Sequence, residues 1–91
     1  MSDIVVTAMG PDRFGVQVHE AGGVETSHVV TVPQGFLDDL GIDAPPGDVV
    51  RESIAFLLDR EPATSILAEF ELPVISEYFG DYPDELRRRL A

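Results

Sequence analysis

The sequence contains no cysteine and no lysine. The first absence excludes disulfides, thiolate nucleophiles and cysteine-held zinc or iron–sulfur centres together. The second, with no Gly-x-Gly-x-x-Gly anywhere, removes the usual phosphate-cradling loops. Long apolar runs are missing too. None approaches the roughly 20 residues that span a bilayer, and no charged segment followed by an apolar stretch opens the chain. These absences point to a soluble, cytoplasmic protein without a membrane partner. Positive charge is scarce: six bases, all arginine, stand against 17 acids, for a net charge of −11. Such a field repels nucleic acid and anionic lipid and attracts basic protein surfaces. The same balance also follows from a salt-loving host or from a GC-rich genome that favours arginine codons.

What is present suits one small folded unit. Ninety-one residues at 44% hydrophobic are too apolar for a disordered chain. A chain of this size buries only about 60–65% of its unfolded surface, so most apolar residues must face one core. Repeats, low-complexity tracts and linkers are absent, and Ala44-Pro45-Pro46-Gly47 is too short to separate domains. The expectation is a single α+β domain over residues 1–91.

The first third reads as strands at about 3–9, 13–20 and 24–32. Ile4 to Met9 is rich in β-branched residues, and Gly10-Pro11-Asp12 signals a turn. Phe14, Val16 and Val18 then alternate with Arg13, Gly15, Gln17 and His19, the period of a half-buried strand. Ala21-Gly22-Gly23 makes the next turn. An odd loop there, of three or five residues, puts Phe14, Val16 and Val18 on one face with Val30 and Val32. A one-residue slip would invert every side chain, so burial selects the odd loop. The spacing predicts a three-stranded antiparallel meander.

From Pro33 onward the pattern becomes helical, with four to five helices at about 34–40, 46–60, 65–70, 73–79 and 83–90. Pro33 suits a first turn and Gly41 a C-terminal cap. Val50, Ile54, Leu57 and Leu58 form the apolar stripe of the longest helix, which Pro62 stops. Thr64 or Ser65 is read as the cap of the third helix and Asp81 as the cap of the last. Arg87, Arg88 and Arg89 at the final helix end complement its dipole. Together these readings predict an α+β domain whose helices cover one face of the sheet.

Residues able to do chemistry do not converge in this outline. His19 and His28 fall on opposite faces in the odd-loop register, so they form no metal pair. Ser27 beside His28 lacks the strand–turn–helix setting of an activated nucleophile. Asp81, Asp84 and Glu85 lack the alternating oxygen ligands of a calcium loop and suit a helix start instead. The segment from Ile66 to Phe79 has the outline of a helix-turn-helix, but its second helix offers Glu77 where phosphate and guanine contacts need a base. No catalytic residue, cofactor-binding residue, metal ligand or nucleic-acid partner is assigned.

The run Phe56-Leu57-Leu58-Asp59-Arg60-Glu61-Pro62, followed by Ser65-Ile66-Leu67, Phe70-x-Leu72, Ile75 and Tyr78-Phe79, resembles a family of short prokaryotic proteins of uncharacterised function. The resemblance spans residues 45–83 and implies a shared fold without an activity. Over residues 3–60 the order of elements is similar to HicB-type antitoxins, which implies a protein partner. Arg60, Glu61 and Pro62 are expected to form a structural corner, Arg60 reaching free carbonyls at the end of the long helix or pairing with Glu61, Glu69 or Glu71. Phe70, Leu72, Tyr78 and Phe79 are the candidate interaction surface, because the 66–79 block is more apolar than one small core needs. Three readings follow. The first is an acidic interaction domain that takes a basic protein surface or a second copy; the others are an antitoxin-like or transcription-accessory regulator that binds a basic protein partner, and a small enzyme without a recognisable motif.

Overall fold

Alternation governs the first part of the chain. In the computed structural model, which describes residues 3–90, Phe14, Val16 and Val18 are buried while Arg13 and Gln17 are exposed. They lie on β2 (Arg13–His19), between β1 (Asp3–Ala8) and β3 (Glu25–Thr31). Both pairings are antiparallel, with Val6 opposite Val16 and Phe14 opposite Val30. His19 faces Glu25, and the Glu20 N–H donates to the Val24 carbonyl at 2.8 Å. The loop is therefore Ala21-Gly22-Gly23, an odd number. Its two glycines hold φ of 91° and 84°, a region other residues avoid. The register that buries the valines is the one formed.

After β3 the chain crosses over the inner face of the sheet. Pro33-Gln34-Gly35 is a turn, and Gly35 at positive φ delays α1 to Phe36–Leu40. Gly41 closes α1 in the left-handed conformation. Its N–H reaches the Asp38 carbonyl, and the Ile42 N–H reaches that of Leu37. Helix α2 (Pro46–Leu58) begins with a proline in its first turn and buries Val49, Val50, Ser53, Ile54, Phe56 and Leu57. Positions four and seven apart supply that face, which packs on the sheet and on α4 (Tyr82–Leu90).

The region 65–70 departs from expectation. No helix forms there. A 3₁₀ turn at Ala63–Ser65 leads into β4 (Glu69–Glu71), which pairs parallel to β3 with Phe70 opposite Val30. The sheet is thus four-stranded and mixed, in the order β1-β2-β3-β4, rather than a three-stranded meander. The physical reason is a local period of two: Phe70 and Leu72 are buried, while Glu69 and Glu71 are exposed. Parallel pairing needs a crossover, which α1 and α2 provide. Loss of the 65–70 helix also removes the helix-turn-helix outline. Helix α3 (Pro73–Tyr78) follows directly, and Phe79-Gly80-Asp81 joins it to α4.

Among the described residues, seventeen buried apolar side chains from the sheet, the helices and the 3₁₀ turn form the core, with Val18, Val30, Ile54, Phe56, Tyr82 and Leu86 among them. No helix among the described residues is long and apolar enough to cross a membrane.

Candidate interaction surface

The sheet separates the two histidines. His19 lies on the solvent side, its Nδ1 3.0 Å from Glu25 Oε1. His28 is buried on the helix side, with Nδ1 2.8 Å from the Leu67 carbonyl and Nε2 2.9 Å from the Thr26 hydroxyl. A carbonyl only accepts, so Nδ1 carries the proton that ties β3 to the segment before β4. Ser27 points to the other face of the sheet, away from His28. Among the described residues no group of three His, Asp or Glu side chains is placed to hold a metal ion.

Asp81, Asp84 and Glu85 each have an arginine. Asp81 Oδ2 accepts from Arg60 at 2.6 Å, and Asp84 Oδ1 accepts from Arg87 at 2.8 Å. Glu85 takes both Arg88 and Arg89. These are ion pairs along and beside α4, with no ligand set left over. Asp38 and Asp39 are exposed on α1.

Arg60 sits just beyond α2 and works through its planar head. Its Cζ lies 3.7 Å from the Phe56 ring centroid, while Nη1 donates to the Phe56 carbonyl at 3.3 Å. Nη2 meets Asp81, and not Glu61, Glu69 or Glu71 as the sequence led one to expect. The reason is the chain path: the 3₁₀ turn carries residues 63–71 towards the sheet edge, and the α3–α4 junction comes back over the Phe56 face. Glu61 continues the helix end through its N–H on the Leu57 carbonyl. Pro62, in extended conformation, redirects the chain, and the next N–H, of Ala63, is capped by Glu20 Oε1 at 3.2 Å. The corner thus joins the end of α2 to Glu20, just beyond the end of β2.

The four apolar residues expected on the surface divide. Phe70 and Leu72 are core residues, Leu72 completely so. Phe79 is half-buried, its ring edge-on to Phe56 with centroids 5.8 Å apart. Tyr78 stands out, 72% exposed. Leu67, 50% exposed, was not singled out from sequence although it belongs to the same apolar block. Leu67 and Tyr78 rim a groove of about 260 Å³ floored by Leu57, Ile66, Phe70 and Ile75. A wider depression of about 440 Å³ beside Pro11, Pro33 and Pro46 carries no exposed large apolar side chain.

Acids outnumber bases around the groove, where Arg13 lies 3.5 Å from Glu69 and Arg60 lies beside Phe79. Glu61 lines it, Glu69 and Glu71 flank Phe70 on β4, and Glu77 precedes Tyr78. Five of the six arginines already have carboxylate partners within 4 Å: Arg13, Arg60, Arg87, Arg88 and Arg89. The acids without such a partner therefore set the outer field. No known protein family, curated protein or solved structure matches the chain.

Proposed function

We propose that this protein is a protein-interaction module whose docking face is the groove between β4 and α3. The occupant is a separate basic protein that inserts one large apolar side chain between Leu67 and Tyr78. One observation carries this reading: two large, solvent-exposed apolar side chains border an apolar groove whose one charged lining residue is Glu61. Tyrosine is a frequent interface anchor because it offers large area and a polar tip at little entropic cost. A second copy of the chain fits poorly. Two bodies of charge −11 repel, and the arginines that would offset this are mostly engaged within the chain. An antitoxin-like regulator neutralising a basic partner is one form the same reading takes.

Selection of a displayed random-peptide library against the purified protein tests it. Recovered peptides should combine arginine or lysine with a large apolar residue. Their affinity should fall at least about tenfold on Tyr78→Ser or Leu67→Ser. It should also weaken as ionic strength rises from ~0.05 M to ~0.5 M. Peptides indifferent to both substitutions, acidic peptides, or a Tyr78-dependent dimer in sedimentation would each refute the proposal.

A further inference from the structure

We infer that the partner segment binds as an added strand on the outer edge of β4, with the local pattern basic–apolar–basic. The inference rests on the groove reading above and specifies how the groove is filled.

The backbone leads to it. Asp12 opposes Val32, whose N–H donates to the Asp12 carbonyl at 2.8 Å, so the even-numbered residues of β3 turn their backbone groups towards β2. The odd-numbered ones turn towards β4: the Val29 N–H donates to the Ala68 carbonyl at 2.8 Å, and the Leu72 N–H donates to that of Thr31 at 3.0 Å. On β4 the groups facing β3 are therefore those of Ala68, Phe70 and Leu72. The N–H and C=O groups of Glu69 and Glu71 face outward, at the terminal position of the sheet order. An outward row of donors and acceptors is a template for one more strand.

The side chains specify what that strand carries. Residues directly opposite one another on neighbouring strands share a face. A residue placed opposite Phe70 points to the helix side, where the groove of about 260 Å³ has room for one leucine- or isoleucine-sized side chain. Its two neighbours point to the solvent side, opposite the carboxylates of Glu69 and Glu71. Glu69 is held only by Arg13 at 3.5 Å, with both side chains more than half exposed, so an incoming guanidinium can displace that contact readily. The opposite edge lacks this combination. There the outward groups belong to Ile4, Val6 and Ala8, whose side chains carry no charge to select a partner.

A capped pentapeptide, Ser-Arg-Ile-Arg-Ser, titrated into the ¹⁵N-labelled protein provides the test. Expected are saturable binding, downfield shifts and slowed exchange of the Glu69 and Glu71 amide protons, and loss of binding when the peptide is fully N-methylated. The Glu69→Lys, Glu71→Lys double variant should reject this peptide by at least about tenfold and accept Ser-Glu-Ile-Glu-Ser instead. Binding that depends on Tyr78 but leaves the two amides unmoved, or that survives N-methylation, overturns strand addition while leaving the groove reading intact. No binding of the peptide at millimolar concentration overturns the basic–apolar–basic pattern. In that case the library selection decides separately whether the groove is used.

Discussion

Ser53 and Tyr82 are the buried polar pair of the core, and their hydrogen-bond directions can be assigned. The Ser53 hydroxyl lies 2.7 Å from the Val49 carbonyl, which only accepts, so Ser53 spends its single proton there. The Tyr82 hydroxyl, also 2.7 Å from Ser53 Oγ, must then be the donor. Ser53→Ala leaves that phenol buried without an acceptor and should cost about 1–3 kcal/mol in chemical denaturation. Tyr82→Phe leaves Ser53 its carbonyl and should cost nearer 1 kcal/mol. The phenol also controls alkaline stability. Burial pushes its ionisation far above the ordinary range, outweighing the opposing effect of the Ser53 hydrogen bond. Below about pH 10 the group is protonated whether the chain is folded or not, and its contribution is fully present. Above that, the unfolded chain releases the proton and the folded one keeps it, so stability should fall by up to about 1.4 kcal/mol per pH unit. No lysine titrates in the same range to obscure this. Unfolding free energies measured from pH 9 to 11 should bend downward in the wild type and much less in Tyr82→Phe; equal slopes would disprove the assignment.

At the scale of elements, the parts read correctly were those governed by a long period. Strands β1 to β3, the odd loop, α2 and the glycine closing α1 all follow from alternation, helical spacing or turn chemistry within a few residues. Element β4 did not. Three residues are too few for a period-two pattern to stand out, and Glu-Phe-Glu-Leu fits a helix as well as a strand. Its strand state is imposed from outside, by the parallel ladder to β3 and by His28, which bonds the Leu67 carbonyl 39 positions away. The candidate surface was partly legible for the same reason. The 66–79 block stands out as apolar in the sequence, but the β4 pairing is what turns Phe70 and Leu72 inward, and Leu67 and Tyr78 are the large apolar residues of the block left exposed. Nor could local sequence supply Asp81 as the partner of Arg60, since that contact depends on how α4 returns over Phe56. The tertiary tie has a measurable consequence. His28→Phe keeps an aromatic ring at the site but removes the bond to Leu67, leaving a part-buried carbonyl unpaired at a cost of about 1–3 kcal/mol. Hydrogen exchange should then speed up selectively at Val29, whose N–H bonds Ala68, with the β1–β2 ladder unchanged. Uniform acceleration across the sheet would mean that His28 serves the whole core and not β4 in particular.

For the molecule as a whole, the question is which electrostatic effect wins. Ion pairs hold the ends of the helical layer together: Arg89 reaches Asp59 at 2.6 Å and Glu85 at 3.3 Å, and these contacts hold its guanidinium proton more firmly than usual. Against them stands a net charge of −11 spread over a body only 38 × 28 × 22 Å. Added salt acts on the two unequally. The Debye length is about 30 Å at 0.01 M and about 10 Å at 0.1 M. The first value is comparable to the whole molecule, while even the second exceeds any of the ion-pair distances. Raising salt through this range therefore screens repulsion between distant carboxylates and leaves contacts of 2.6–3.8 Å largely untouched. Several of those pairs are also solvent-exposed and contribute at most about 1 kcal/mol each, so little is lost when they weaken. The protein should accordingly become more stable with salt, its Tm rising by several degrees between 0.01 M and 0.3 M sodium chloride in calorimetry. Peptide binding at β4 should weaken over the same range, because there the salt screens attraction. A Tm that falls with salt would place the arginine network, and not the surplus of acids, in control of the fold.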